Sequence, residues 1–229
     1  MRKTIIIGGW FTLLVVGRWV LAQEEMPAAG QPAAAPSAET AAQYSYSIGW
    51  QVGSTFHTDG AKLDVDSLLA GVKDGLSAAK PKYDEETLNR ALQALGQFRM
   101  QLHITRNRDY LEKNRVREGV QVLPSGLQYK VLQSGDGPSP GPADRVKAHY
   151  RGQLIDGTVF DSSYERNEPF DTPVNQVIPG WSEALQKMKV GDKWQLVIPS
   201  ELGYGETGAG GLIAPHSTLI FEVELLGIE

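Results

Sequence analysis

The chain has 229 residues, 41% of them hydrophobic and 21% charged, with 22 Lys and Arg against 27 Asp and Glu and no Cys. That mixture belongs to a soluble globular protein of one or two domains, too apolar for a disordered chain and too evenly mixed for a membrane bundle. Without Cys, disulfide frameworks, Cys-ligated zinc, iron–sulfur clusters and thiol nucleophiles are excluded, and a formal charge of −5 leaves no basic surplus for nucleic acid as a partner.

Arg2 and Lys3 precede the apolar run Thr4 to Val16, and Val20, Leu21 and Ala22 form a small-residue cleavage site before Gln23. The pattern reads as a secretory signal peptide over residues 1–22. The competing reading, a retained anchor, needs about 20 uninterrupted apolar residues, more than are present here. Cleavage would remove Arg2, Lys3, Arg18 and no acid, taking the net charge from −5 to −8. The expected location is the periplasm, with outer-membrane or cell-surface association left open. Residues 23–39 are mostly Pro, Ala, Gly, Gln and Ser, which cannot offset their ordering entropy and read as a flexible linker.

Residues 40–118 read as helical. Tyr44, Ile48, Val52 and Phe56 recur every four residues; a second helix follows Asp64 or Asp66 as cap and stops at Pro81. The third helix is expected from Asp84, with Glu85 and Glu86 in its first turn, to Gly119: about 34 residues, or roughly 50 Å. Leu88, Leu92, Leu95, Leu102 and, off register, Phe98 and Ile104 give its first half an apolar stripe; from Arg106 onward charges dominate and only Tyr110, Leu111 and Val116 could be covered. It therefore reads as a stalk whose first half packs on the two preceding helices and whose second half is exposed. Three helices bury little surface alone, so two intertwined copies would cover the stripe better than a monomeric three-helix cap.

From Gly119 to the end, over residues 119–229, the period changes to two. Leu127, Tyr129 and Val131, then Val146, Ala148 and Tyr150, then Trp194, Leu196 and Ile198, then Leu219, Phe221, Val223 and Leu225 read as strands of an antiparallel sheet. Asp156-Gly157 predicts a two-residue type I′ hairpin. One short helix, Trp181 to Met188, fits between strands. The fold class is α+β: an all-helical N-terminal domain with a long stalk helix, then an antiparallel sheet wrapped around one short helix.

Several segments carry a family resemblance: Val146 to Gly152 (VKAHYRG), Asp156 to Ser163 (DGTVFDSS), Val177 to Trp181 (VIPGW), Gly203-Tyr204-Gly205, and Pro215 to Phe221 (PHSTLIF). In this order over about 110 residues, they resemble FKBP-type peptidyl-prolyl isomerases. Val122 to Val131 and the upstream helices resemble the secreted bacterial subfamily of macrophage infectivity potentiator-like proteins. The resemblance implies a homodimer formed through residues 40–118 and a proline pocket lined by Tyr150, Phe160, Val177, Ile178, Trp181 and Phe221, with Trp181 as floor. It also implies Asp161 and Tyr204 as polar rim groups, Phe170 and Ile213 as further walls, and a carbonyl held by the Ile178 N–H. Taken singly, each aromatic is an ordinary core residue; their joint occurrence in order points to a site. Thr172 stands where many members place a pocket aromatic, and Ala209 where a bulkier side chain is common, which predicts a more open wall.

An aromatic cleft without an activated nucleophile suits rotation about an Xaa-Pro bond, where no bond is broken and the twisted amide is less polar than the planar one. Clients would be proline-containing polypeptides, inhibitors tacrolimus-like macrolides, and no metal or organic cofactor is expected. Gly203 to Gly208 is formally G-x-G-x-x-G, but Gly210, Gly211 and Pro215 follow where a helix must begin, so it reads as a loop. His57, His103, His149 and His216 lack metal-ligand spacing, and no serine-hydrolase motif is present. The function expected is peptidyl-prolyl isomerisation in secreted proteins. The alternative is a dimeric chaperone that binds extended chains on the same scaffold.

Overall fold

The computed structural model describes residues 35–229; the expected signal peptide and most of the linker lie outside the described residues. The chain forms two compact units, one ending at Val52 and the other running from Gly53 to Glu229. Helix α1, Ala38–Asp59, continues through that boundary, and its N-terminus is capped by Ser37, whose hydroxyl accepts from the Thr40 N–H at 3.2 Å. Helix α2, Val65–Leu76, is capped by Asp64, which accepts from Ser67 N–H at 2.7 Å. Helix α3, Glu85–Asn114, is capped by Asp84, which accepts from Thr87 N–H at 2.7 Å. Each cap satisfies a backbone donor that the first helical turn leaves without a partner.

At 30 residues α3 is about 45 Å long, but the second half of the stalk is not bare, as the sequence suggested. Leu88, Leu92, Phe98 and Met100 in the first two-thirds are exposed, whereas Asn107 and Asn114 in the last third are buried. Hydrogen bonds dock this end. Asn114 Nδ2 donates to Gln128 Oε1 at 2.8 Å, Gln128 Nε2 to the Leu111 carbonyl at 3.0 Å, and the Thr218 N–H to Asn107 Oδ1 at 2.7 Å. Such bonds make burial of polar groups tolerable, and a reading of apolar periodicity is blind to them.

The following strands are β1 Val120–Val122, β2 Gln128–Gln133, β3 Arg145–Gln153, β4 Val159–Ser162, β5 Phe170–Pro173, β6 Lys193–Ile198 and β7 Leu219–Ile228. They pair antiparallel in the order β1-β2-β6-β7-β3-β4, with β5 also paired to β3. Helix α4, Pro179–Leu185, lies against this sheet, starting two residues before the predicted Trp181 and ending before Met188. Proline at its first position suits a helix start. Gly180 permits the close approach, because a Cβ there would stand 2.6 Å from Ile198 Cγ2. The core between helix and sheet is Leu127, Val146, Ala148, Leu185, Met188, Leu196, Ile198, Leu219, Val223 and Leu225, all fully buried. Each of these except the smaller Ala148 contributes on the order of 1.5–3 kcal/mol. The α+β architecture expected from the sequence, an antiparallel sheet wrapped around one short helix after an all-helical segment, is the one observed.

The β3–β4 connection differs from the predicted type I′ hairpin. Gly157 alone takes a positive φ, 89°, and its N–H closes a turn on the Leu154 carbonyl at 3.0 Å. Asp156 Oδ1 instead accepts from the Thr158 N–H at 2.9 Å. An Asx contact that satisfies Thr158 outcompetes a left-handed aspartate.

Candidate active site

Strand β3 alternates, so Val146, Ala148, Tyr150 and Gly152 point inward while Lys147 and Arg151 point to solvent. Ser163, fully buried, clamps the Tyr150 backbone: its N–H donates to the Tyr150 carbonyl at 3.0 Å and its Oγ accepts from the Tyr150 N–H at 2.8 Å. In β4, Gln153 pairs with Val159 and Gly152 with Asp161. Phe160 is thus the extra residue of a β-bulge, which is how two consecutive residues, Phe160 and Asp161, reach the same cleft when strict alternation would separate them. Gly152 leaves room for that convergence; a Cβ would lie 2.6 Å from the Phe160 ring and 2.7 Å from the Phe221 ring.

The cleft has a volume of about 520 Å³. Around it stand Tyr150, Phe160, Asp161, Phe170, Val177, Ile178, Trp181, Tyr204, Ile213 and Phe221, every candidate site residue named from the sequence. Gln176, Ala209, Gly210 and Leu212 complete the lining. Trp181 is almost fully buried and receives three rings edge-on: Tyr150 at 5.2 Å, Phe221 at 5.3 Å and Phe170 at 6.4 Å between centroids. Phe160 packs edge-on to Phe221 at 5.4 Å. Such pairs add about 0.5–1.5 kcal/mol each beyond area burial and fix the ring angles. Thr172 does not line the cleft; it is buried within β5, opposite Val146. The cavity wall on this side is Phe170, which pairs with Ala148.

Among the described residues, Asp161 is the only carboxylate lining the cleft. Tyr150 Oη donates to its Oδ2 and Arg166 Nη1 to its Oδ1, while Arg166 Nη2 donates to Tyr150 Oη at 3.0 Å. Burial opposes the charge on Asp161, but the hydrogen bonds from Tyr150 and Arg166 and the guanidinium charge outweigh it and hold its carboxyl below the usual value. Burial, and then the bond to Asp161, push the Tyr150 phenol up, so it remains a donor at neutral pH. Arg166 was not foreseen in the sequence. It stands in the turn after β4, outside any periodic pattern, and only its contacts reveal it.

The β6–β7 loop supplies the opposite rim. Ala209 and Ile213 exchange both backbone hydrogen bonds, at 2.9 and 3.0 Å, around Gly210 and Gly211, which both take positive φ. The formal G-x-G-x-x-G run is part of this loop, and no helix follows it. Among the described residues no group of three His, Asp or Glu is arranged to hold a metal ion.

Residues 137–226 match the family described as FKBP-type peptidyl-prolyl cis-trans isomerase, and residues 41–131 match the domain amino terminal to it. The chain is 49% identical over 195 residues to the FKBP-type 22 kDa peptidyl-prolyl cis-trans isomerase of Escherichia coli K12, covering 82% of this chain and 95% of that protein. It is 39% identical over 199 residues to the outer membrane protein MIP of Legionella longbeachae, covering 81% and 84%. Among solved structures it resembles FkpA from Escherichia coli, with a TM-score of 0.54 and 36% identity over 83% of this chain and 95% of that one.

Proposed function

The chain belongs to the FKBP-type peptidyl-prolyl cis-trans isomerases, and we propose that the aromatic cleft is where it accelerates rotation about Xaa-Pro bonds of secreted proteins. The observation that carries this reading is the convergence of six aromatic rings and one hydrogen-bonded carboxylate on a single cleft floored by Trp181. Rotation has a barrier of about 18–20 kcal/mol because the amide loses resonance at the half-twisted point. A dry apolar pocket favours that less polar state over the planar, better solvated one. The Ile178 N–H makes no hydrogen bond among the described residues and is available to a substrate carbonyl. Half-exposed Tyr204 offers a hydroxyl at the rim. Asp161 holds Tyr150 in place and sets a fixed negative end beside the twisted amide. Lowering the barrier by about 4 kcal/mol would give roughly a thousandfold acceleration.

The test is cis-to-trans relaxation of a short hydrophobic-residue–Pro peptide with the chain from Gln23 onward, with and without a tacrolimus-type macrolide. Acceleration that the macrolide suppresses is expected. A folded protein that binds the macrolide without accelerating the peptide would instead favour a binding module.

The protein acts as a homodimer through residues 40–118, with the isomerase domain in 119–229. Helix α2 buries none of its residues, and Val65, Leu69, Val72 and Leu76 are exposed along it, as are Leu92 and Phe98 on α3. A soluble monomer rarely leaves that much apolar surface bare. Sedimentation at micromolar concentration should give about twice the mass of one chain. A single-chain mass would sink the dimer. The basic start, apolar run and small-residue cleavage site support export to the periplasm. Among the described residues no helix is long and apolar enough to cross a membrane. Slow prolyl isomerisation limits folding, so the clients are proline-containing polypeptides folding in that compartment.

A further inference from the structure

The buried end of α3 touches the loop that forms one rim of the cleft. Asn107 Oδ1 accepts from the Thr218 N–H at 2.7 Å, and Asn107 Nδ2 donates to the carbonyl of His103, one turn back, at 2.9 Å. His103 Nε2 lies 3.1 Å from Ser217 Oγ, and Ser217 Oγ donates to the Ala214 carbonyl at 2.7 Å. Asn107, Ser217 and Thr218 are all nearly fully buried. Two short links connect this cluster to the cleft. Ala214 follows Ile213, a lining residue, and the His216 N–H donates to the Gly205 carbonyl at 2.8 Å, next to Tyr204. His216 adopts a positive φ of 62°, a conformation a non-glycine residue keeps only when its surroundings impose it.

We propose that Asn107 and His103, on the helix that leads into the isomerase domain, are positioning residues for the cleft: they latch the end of the β6–β7 loop and thereby hold Tyr204 and Ile213 at the rim. The proposal rests on the cleft being the isomerase site. A loop of some twenty residues closed only by its own turns would sample many conformations; tying its end to a rigid helix removes that freedom before substrate arrives. Burial, and then the charges of His216 and Arg106, hold His103 below its ordinary pKa, so the latch is assembled with a neutral imidazole. The helix thus does more than space two domains apart, because the rim is complete only when α3 is docked.

Asn107→Ala and Asn114→Ala both remove a bond that docks α3, but only the first touches the loop. In the full chain, Asn107→Ala should raise KM for an Xaa-Pro peptide about fivefold with little change in kcat, the signature of lost uniform binding. It should also speed hydrogen exchange at the Ile213 and Thr218 amides. Asn114→Ala should leave KM and that exchange near the wild-type values while lowering thermal stability comparably. Asn107→Asp, which keeps an acceptor for Thr218, should restore KM. An active wild type with KM unchanged in Asn107→Ala, or raised equally in Asn114→Ala, overturns the latch. A wild type that does not accelerate the peptide overturns the assignment of the cleft instead, and Ile213 exchange still tests the latch by itself.

Discussion

Asp161→Leu should lower kcat/KM for an Xaa-Pro peptide by about a hundredfold, equivalent to about 3 kcal/mol of transition-state stabilisation. The leucine fills a similar volume but accepts nothing. Tyr150 Oη loses its acceptor, Arg166 loses its carboxylate partner, and the rim gains an apolar group where a fixed negative end stood. The fold should survive, because the Asp161–Arg166 pair is about half exposed and such pairs contribute little to stability. A circular dichroism melt near that of the wild type, beside a collapsed rate, is therefore the expected combination. The pH profile is a second check. The folded-state pKa of Asp161 is depressed below 3.8, so its contribution to stability is fully present above that value and is lost only as pH falls through the lower folded-state value. No titration of this group falls between about pH 5 and 8, so the ratio of the wild-type to the Asp161→Leu rate should be flat there. A ratio that changes with an apparent pKa near 6, or an Asp161→Leu variant as active as wild type, would sink the assigned role.

The parts legible in the sequence share one property: side chains whose pattern is apolar and periodic, or whose order is fixed by the resemblance. The alternation in β3 and β7 was readable because one face is packed and the other is wet, and the aromatic cleft was readable because its residues recur as short runs around turns. Asn107 and Asn114 were not, although the signal existed. His103, Asn107 and Asn114 are four and seven residues apart and share one face of a helix. Polar residues on one face look the same whether they meet water or backbone donors of another element, so only the partner distinguishes them. The bulge at Phe160 was hidden for a related reason. Alternation predicts that Phe160 and Asp161 face opposite ways, and a single shift in β3–β4 register reverses that. Strand β5 escaped because Phe170-Asp171-Thr172-Pro173 ends in proline and has too few residues to show a period.

The same cleft is also where stability and function are shared, and Trp181→Ala should expose this. Replacing a buried tryptophan by alanine costs about 3–5 kcal/mol through lost transfer energy and the cavity left behind. Here three aromatic neighbours lose their edge-on partner at once. For a domain whose total stability is on the order of 5–15 kcal/mol, that loss should lower Tm by at least about 10 °C. Trp181→Phe makes a separate demand. The indole Nε1 is buried with no hydrogen-bond partner among the described residues, so the wild type already bears the cost of desolvating that donor. Phenylalanine removes the donor while keeping a ring for Tyr150 and Phe221, and the gain and the lost area should cancel to within about 1 kcal/mol. A saturating macrolide raises Tm when it binds the folded protein and not the unfolded chain; bound in the cleft, its shift should persist in Trp181→Phe and vanish in Trp181→Ala. A Trp181→Ala protein with unchanged Tm would mean that the ring is not part of the core. One that melts early yet keeps its macrolide shift would mean that the ligand sits elsewhere.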